Sequence, residues 1–245
     1  MDSQQPPSFD VRLDNPTETL VIGTAEYGLA GLTAADYLTT ALELQEAGHI
    51  TVDGLPAITP FENGTPRRHT RLFSRSDTDM TVLVGELPIP PFAAASFADA
   101  IASHGEEYGT KEIVILSGVP FPPGPDDHRP FYVATEEYQA DRLSDLEDVA
   151  PMAGGFLEGF NAELMERALG GSVPVCVLTT PVHALAPDIE AALRILEITD
   201  RIYGLDLDTE PLETFAENLS QQYEKLAARL ETERKEHIAD DRTYM

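Results

Sequence analysis

The chain alternates between apolar runs rich in Val, Ile and Leu and segments with helical periodicity. We predict strands at the apolar runs, over Thr19–Gly23, Ile50–Phe61, Arg67–Ser74, Met80–Leu87, Glu112–Val119, Phe131–Thr135 and Pro174–Thr180. Helices are predicted between them, over Leu32–Gln45, from Pro91 to about Tyr108, from Gly154-Gly155 to about Leu169, and over Asp188–Tyr203. Near-continuous apolar strands are typical of a sheet that is covered on both faces. The pattern therefore predicts an α/β fold with a mixed, largely parallel sheet and helices on both faces.

Two turn signals fix boundaries within this pattern. Asn63-Gly64 lies between two of the predicted strands, and this pair is a strong signal for a tight hairpin. Gly204 follows the apolar stripe of the helix predicted over Asp188–Tyr203, and glycine commonly ends a helix at this position.

The last part of the chain is a predicted helix over residues 209–238. Pro211 and several acidic residues stand in its first turn, where they suit the helix dipole. Its apolar residues are spaced three or four apart, close to a coiled-coil seam: Leu212, Phe215, Leu219, Tyr223, Leu226 and Leu230. This stripe either packs back on the chain's own domain or contacts another subunit. We thus expect an α/β core over 1–208, this helix over 209–238 and a flexible tail over 239–245.

Charge restricts the classes of partner. The 245 residues include 16 Lys and Arg against 43 Asp and Glu, which gives a net charge of -27. Nucleic acids and anionic membranes are both bound through basic residues, so neither is an expected partner. Cys176 is the single cysteine, which excludes an intramolecular disulfide and a thiolate-rich metal site. The sequence contains no recognisable signal peptide or membrane span, and we expect a cytoplasmic protein.

The low lysine content among the basic residues indicates adaptation to high salt. Lysine occurs only at Lys111, Lys225 and Lys235, and the other basic side chains are arginines. An acid-rich, lysine-poor surface suits multimolar salt, in which charge repulsion is screened over about 3 Å. We therefore expect a halophilic archaeal protein, and an ordinary acidic protein is the alternative.

A glycine-bearing turn, Gly23–Gly31, follows the first predicted strand and opens a helix. A turn between a strand and the start of a helix is a common place for a phosphate to bind. The spacing of these glycines, however, matches neither Gly-x-Gly-x-x-Gly nor a P-loop. Glu26 in the middle of the turn would also repel a phosphate. We interpret Gly23, Gly28 and Gly31 as glycines that allow the strand and helix to pack closely.

Other reactive residues do not combine into a catalytic set. The histidines are His49, His69, His104, His128, His183 and His237. They lack the spacing of a His-x-x-x-His metal site, so we expect no metal and no cofactor. Cys176 lies in an apolar strand and is interpreted as a small hydrophobic residue. Ser117-Gly118 lacks the Gly-x-Ser-x-Gly elbow of a hydrolase. The basic cluster of Arg67, Arg68 and Arg71 could clamp a phosphate or pair with the many acids.

Several short motifs, in a fixed order along the chain, together resemble a known family. They are Leu20–Gly23 with Gly28–Gly31, Leu87–Pro91, Lys111–Pro120, Val133–Thr135, Gly154–Gly159, Pro187–Leu193 and Gly204–Asp208. The set resembles the archaeal branch of the proteasome assembly chaperone family, related to the second eukaryotic proteasome assembly chaperone subunit. The resemblance extends from about Leu20 to Leu230.

The resemblance implies a core like that of nucleoside phosphorylases and hydrolases, with a helical C-terminal part used in oligomer contacts. It implies a binding protein without a cofactor. Its partners would be the archaeal proteasome core particle or its α subunits, and further copies of itself in a trimer or tetramer. The alternative is a phosphorylase-like or hydrolase-like enzyme that acts on a nucleoside or another small molecule. That enzyme would use the Gly23–Gly31 loop, Arg67 or Arg71, and His183.

The sequence closes with Thr243-Tyr244-Met245. This resembles the hydrophobic-tyrosine-any motif by which activators and assembly factors dock between proteasome α subunits. A tyrosine ring can fill an apolar slot with its hydroxyl hydrogen-bonded, while a terminal carboxylate meets a lysine. We therefore expect these three residues to contact the proteasome.

Overall fold

The computed structural model describes residues 6–120, 128–146, 149–183 and 186–216. Its strands are β1 (Ser8–Leu13), β2 (Thr19–Thr24), β3 (Gln45–Asp53), β4 (Phe61–Glu62), β5 (Thr65–Pro66), β6 (Thr70–Ser74), β7 (Met80–Gly85), β8 (Glu112–Pro120), β9 (Phe131–Ala134), β10 (Ala150–Pro151) and β11 (Val175–Val182). Its α-helices are α1 (Ala30–Ala41), α2 (Ala94–Tyr108), α3 (Glu136–Tyr138), α4 (Gly159–Gly170) and α5 (Ile189–Tyr203). Single turns of other helix types occupy Tyr27–Leu29, Pro91–Ala93 and Gln139–Leu143.

Nine strands form one mixed sheet in the order β1-β3-β6-β7-β2-β8-β11-β9-β10. The four central strands, β7-β2-β8-β11, are parallel to one another. The strands β6, β3 and β1 extend one side with antiparallel pairing, and β9 pairs antiparallel to β11 on the other side. The predicted α/β class and mixed sheet are confirmed, with the parallel pairing at the centre of the sheet and between β9 and β10.

Helices cover both faces of this sheet, and for this reason every residue of β2, β7 and β11 is buried. On one face α2 and α4 contact each other, and Phe97 and Leu164 pack against Ile22, Ile115 and Val177 of the strands. On the other face α1 and α5 contact each other and the central strands. Burial of apolar side chains on both faces is the main stabilising contribution in such a fold.

Three local features differ from the sequence prediction or refine it. The first helix ends at Ala41 instead of Gln45, because Glu43 takes a left-handed conformation with φ 52° and the chain turns into β3. The strand β1 was not predicted, because it lies at the sheet edge and its residues are only half-buried or exposed. The Asn63-Gly64 hairpin is confirmed between β4 and β5, with φ values of 49° and 77°.

The chain divides into two units between residues 207 and 208. Within the second unit, residues 210–216 are helical. Of the predicted apolar stripe, Leu212 is buried and Phe215 is 56% exposed. The remaining stripe residues and the tail motif lie outside the described residues: Leu219, Tyr223, Leu226, Leu230, Thr243, Tyr244 and Met245. None of the helices in the described ranges combines the length and the apolar character needed to cross a lipid bilayer.

Candidate functional site

The strand β2 is flanked by β7 and β8, and the connections that surround it lie on opposite faces of the sheet. After β2 the chain forms α1 on one face, whereas the connection from β7 to β8 forms α2 on the other face. The chain therefore leaves the carboxyl ends of the neighbouring strands β2 and β7 on opposite faces of the sheet, and β8 lies on the other side of β2. Open α/β sheets bind their ligands in the crevice at such a point.

Three polar side chains meet at this point although they are far apart in the sequence. Ser117, in β8, donates a hydrogen bond from Oγ to Oε2 of Glu26 over 2.7 Å. Asn161, in the first turn of α4, places Nδ2 3.2 Å from both carboxylate oxygens of Glu26 and 3.4 Å from Oγ of Ser117. The carboxylate of Glu26 is thus held by two donors that come from two different elements.

A cavity of about 570 Å³ lies over this cluster. Glu26, Ser117, Asn161 and Thr179 supply polar groups to its lining. Apolar side chains supply much of the remainder, with Val119, Pro120, Met152, Phe156, Leu157 and Val177 among them. Such a volume, with an apolar lining and a few converging polar groups, is typical of small-molecule sites.

Burial changes the protonation chemistry of the cluster. Removal of Glu26 from water raises the pKa of its carboxyl group, and the hydrogen bonds from Ser117 and Asn161 offset part of that effect. A carboxylate in this setting binds donors and cations more strongly than an exposed one, because water competes less. Within the described ranges, no group of three His, Cys, Asp or Glu residues is placed to hold a metal ion.

Some buried polar atoms around the site lack a partner. Oδ1 of Asn161 and Oγ1 of Thr179 form no hydrogen bond, and the two residues are 7% and 2% exposed. Buried polar atoms are seldom left unpaired in folded proteins, so each such atom needs an explanation. Both residues line the cavity, so two acceptor atoms without a partner in the protein belong to residues of its wall.

The glycine-bearing turn has the structural role that the sequence predicted. A Cβ atom on Gly23 would lie 2.2 Å from the carbonyl oxygen of Gly31, and one on Gly31 would lie 1.9 Å from that of Leu116. Gly28 has a φ of 64°, a conformation that glycine adopts without strain. The glycines thus allow α1 to lie directly against β2 and β8.

The residues of the enzymatic alternative do not join this site. Arg67 forms two hydrogen bonds with the carboxylate of Glu86, and Arg71 lies over the ring of Phe73. None of Arg67, Arg71 and His183 is among the described residues that line the cavity.

His183 takes part in the structure around the start of α5. Asp188 caps this helix by accepting a hydrogen bond from the backbone N–H of Ala191 over 2.9 Å. The Oδ2 atom of Asp188 also accepts the backbone N–H of His183 over 2.9 Å and lies 2.8 Å from its Nδ1 atom. These hydrogen bonds tie His183 to the residue that caps α5 and give it a structural role.

Cys176 is fully buried in β11, and burial raises the pKa of its thiol. Both observations agree with its interpretation as a small hydrophobic residue and not as a nucleophile.

The sequence profile of the PAC2 family matches residues 20–227. The chain belongs to the PAC2 family. An uncharacterised protein of Methanocaldococcus jannaschii is 22% identical to this chain over 200 residues, which cover 82% of this chain and 81% of that protein.

Solved structures share this PAC2 fold. PbaA of Pyrococcus furiosus, an archaeal homologue of proteasome-assembly chaperone, matches with a TM-score of 0.84 and 20% identity over 97% of this chain and 99% of PbaA. PbaB of the same organism, an archaeal proteasome activator, matches with a TM-score of 0.75 and 19% identity over 91% of this chain and 99% of PbaB. A PAC2 family protein of Streptomyces avermitilis matches with a TM-score of 0.64 and 18% identity over 86% of this chain and 96% of that protein.

Two segments that carried the family resemblance border the cavity in this PAC2 protein. The segment Lys111–Pro120 contains β8 with Ser117, and Gly154–Gly159 contains Phe156 and Glu158 at the start of α4. From the sequence, Glu26 was recognisable only as an obstacle to phosphate and Ser117 only as a serine without a hydrolase elbow. Their positions after or near the ends of parallel strands were the available signal, whereas Asn161 lies in a helix and gave none.

Proposed function

We propose that this PAC2 protein is a non-catalytic, chaperone-like factor that binds the archaeal proteasome core particle or its α subunits. The observation that carries the proposal is the match in fold to PbaA along 97% of the chain, together with membership of the PAC2 family. PbaA is an archaeal homologue of proteasome-assembly chaperone and PbaB is a proteasome activator. Two matching proteins that are described in connection with the same machine support a role at that machine.

The proposed contact with the proteasome is the segment Thr243-Tyr244-Met245. An aromatic ring in an apolar slot contributes a large buried area, and a tyrosine hydroxyl can hydrogen-bond at the edge of that slot. Thr243 stands where a more apolar residue is usual in this motif, so we propose that each single contact is weak.

Oligomer formation would offset this weakness. We propose that copies of the chain associate as a trimer or tetramer through the stripe that begins with Leu212 and Phe215 and continues through Leu219, Tyr223, Leu226 and Leu230. Several tails on one scaffold bind with a high effective concentration once the first has bound. Phe215 is a large apolar side chain that is half-exposed in the single chain, and contact with a second copy would cover it.

Sedimentation with purified components tests the proposed partner. The protein is mixed with archaeal proteasome core particles, and separately with rings of α subunits, in multimolar KCl and then centrifuged. We expect it to sediment with one or both of these assemblies. An unrelated acidic protein of similar net charge serves as the control for non-specific association. Failure to sediment with either assembly across a range of salt concentrations would contradict the proposed function.

A further inference from the structure

The cavity over Glu26 has a distribution of charge that selects among ligands. Its described lining includes two carboxyl groups, those of Glu26 and Glu158, and no Lys, Arg or His side chain. The whole chain carries a net charge of -27. An anionic ligand such as a phosphate or nucleotide would be repelled both by the lining and by the surrounding field.

The hydrogen-bonding groups point to a ligand rich in N–H donors. The carboxylate of Glu26 accepts hydrogen bonds from Ser117 and Asn161, and an ionised carboxylate has room for about four donors. Oδ1 of Asn161 and Oγ1 of Thr179 have no partner. An ammonium or guanidinium group brings three or more N–H donors. It also brings a positive charge, which would pair with the carboxylate of Glu26.

The apolar part of the lining suggests the rest of the ligand. Met152, Leu157 and Val119 line the cavity, and Phe156, which also lines it, is 99% exposed. A fully exposed phenylalanine is unfavourable in water, and an apolar ligand body would cover part of it. Phe156 and Tyr27 are also aromatic, and aromatic rings attract cations.

We propose that this cavity binds a small organic cation, in which an ammonium or guanidinium group meets the Glu26 carboxylate and an apolar body contacts Met152, Phe156 and Leu157. The ligand is a free small molecule, because the cavity volume of about 570 Å³ is within the usual range for small-molecule sites. The binding is independent of the proposed contact with the proteasome, so either can fail without the other.

Three probes with a similar shape and different charge test the proposal: 2-phenylethylamine, 2-phenylethanol and phenylacetate. Calorimetric titration at one fixed salt concentration measures their binding to the full chain. We expect saturable binding of the amine, and binding of the alcohol and of the carboxylate weaker by about tenfold or more, which corresponds to about 1.4 kcal/mol. A capped lysine amide is the fourth probe, and it separates a free amine from the side chain of a peptide, which we expect to bind more weakly because its backbone must also fit.

Two variants locate the binding. Glu26→Gln keeps the size of the side chain and removes its charge. We expect this variant to bind the amine more weakly by about tenfold or more and to bind the alcohol with nearly unchanged affinity. Glu166→Gln removes an exposed carboxyl group from the same helix as Asn161 and lies outside the cavity lining, so it should leave both unchanged. Any one of four results would overturn the proposal. The first two are that the amine shows no saturable binding and that phenylacetate binds as tightly as the amine. The other two are that the capped lysine amide binds more tightly than the amine and that Glu26→Gln leaves binding of the amine unaffected. Thermal unfolding of the variants confirms that they are folded.

Discussion

Gly31 lies so close to Leu116 that a Cβ atom on this glycine would come within 1.9 Å of the leucine carbonyl oxygen. The contact joins the first turn of α1 to the middle of β8, and it is possible only because residue 31 has no side chain. The position of α1, and with it the turn that carries Glu26, depends on this close approach.

The first prediction concerns this contact. Gly31→Ala places a methyl group against backbone atoms that cannot move independently, so we expect a loss of about 3 kcal/mol or more in the free energy of unfolding. Denaturant unfolding measures it. The control is Gly170→Ala in α4, where an added Cβ would meet no atom within 4 Å; it should change stability by less than about 1 kcal/mol, in the stabilising direction. Equal stabilities of the two variants would show that α1 does not pack as described.

The second prediction concerns an ion pair at the start of β8 in which only the carboxylate is buried. The carboxylate of Glu112 accepts two hydrogen bonds from Arg142, over 2.9 and 2.7 Å, and one from Oγ1 of Thr19 over 2.9 Å. Glu112→Gln leaves the guanidinium of Arg142 without its counter-charge, and we expect a loss of about 1–3 kcal/mol in unfolding free energy, because the arginine is partly exposed.

The matched control for this pair is Glu18→Gln, which breaks the ion pair with Lys111 at 2.6 Å. Both of those side chains are more than half exposed, and we expect a loss below about 1 kcal/mol. If Glu18→Gln cost as much stability as Glu112→Gln, burial would not be the reason for the larger effect.

The third prediction concerns pH. Burial raises the folded-state pKa of Glu26 above its unfolded value, so the stability that the neutral carboxyl contributes is complete below the unfolded pKa and is lost as pH rises through the folded pKa. Glu26→Gln does not titrate. The variant should therefore gain stability relative to the native protein as pH rises from acidic to neutral, and the two should converge at acidic pH.

Thermal unfolding across this pH range measures the difference. Glu166→Gln, at an exposed position in α4, reports the effect of removing one negative charge from the same acidic chain. A difference between Glu26→Gln and the native protein that does not grow with pH would show that Glu26 is not held in a dehydrating environment.

The strands at the centre of the fold were predictable because their apolar runs are continuous, and a strand that is buried on both faces needs no other signal. The edge strand β1 was not, because Phe9 and Val11 alternate with polar residues in a segment that also contains prolines. The Glu26–Ser117 contact joins residues 91 positions apart, and only the order of the strands in the sheet shows that they meet. Asn161 was unpredictable for the same reason, since it comes to the site on α4 from a third part of the chain.

The fourth prediction concerns salt. We propose that the protein is adapted to high salt, because its net charge is -27 and repulsion among surface carboxylates weakens as salt screens it. The melting temperature should rise steadily between dilute buffer and multimolar KCl. Glycerol at matched osmolality controls for effects of lowered water activity. A melting temperature that does not change with KCl would contradict the proposed adaptation.

We propose that the protein acts by binding the proteasome through Thr243, Tyr244 and Met245. The most direct measurement compares sedimentation with the core particle for the native protein, for a variant that lacks these three residues, for Tyr244→Ala, and for the control Asp240→Asn in the same segment. Light scattering measures the oligomer mass of each variant. We expect the deletion and Tyr244→Ala to abolish co-sedimentation without a change in oligomer mass, and Asp240→Asn to bind like the native protein. Binding of the truncated protein as tightly as the native one would contradict the account.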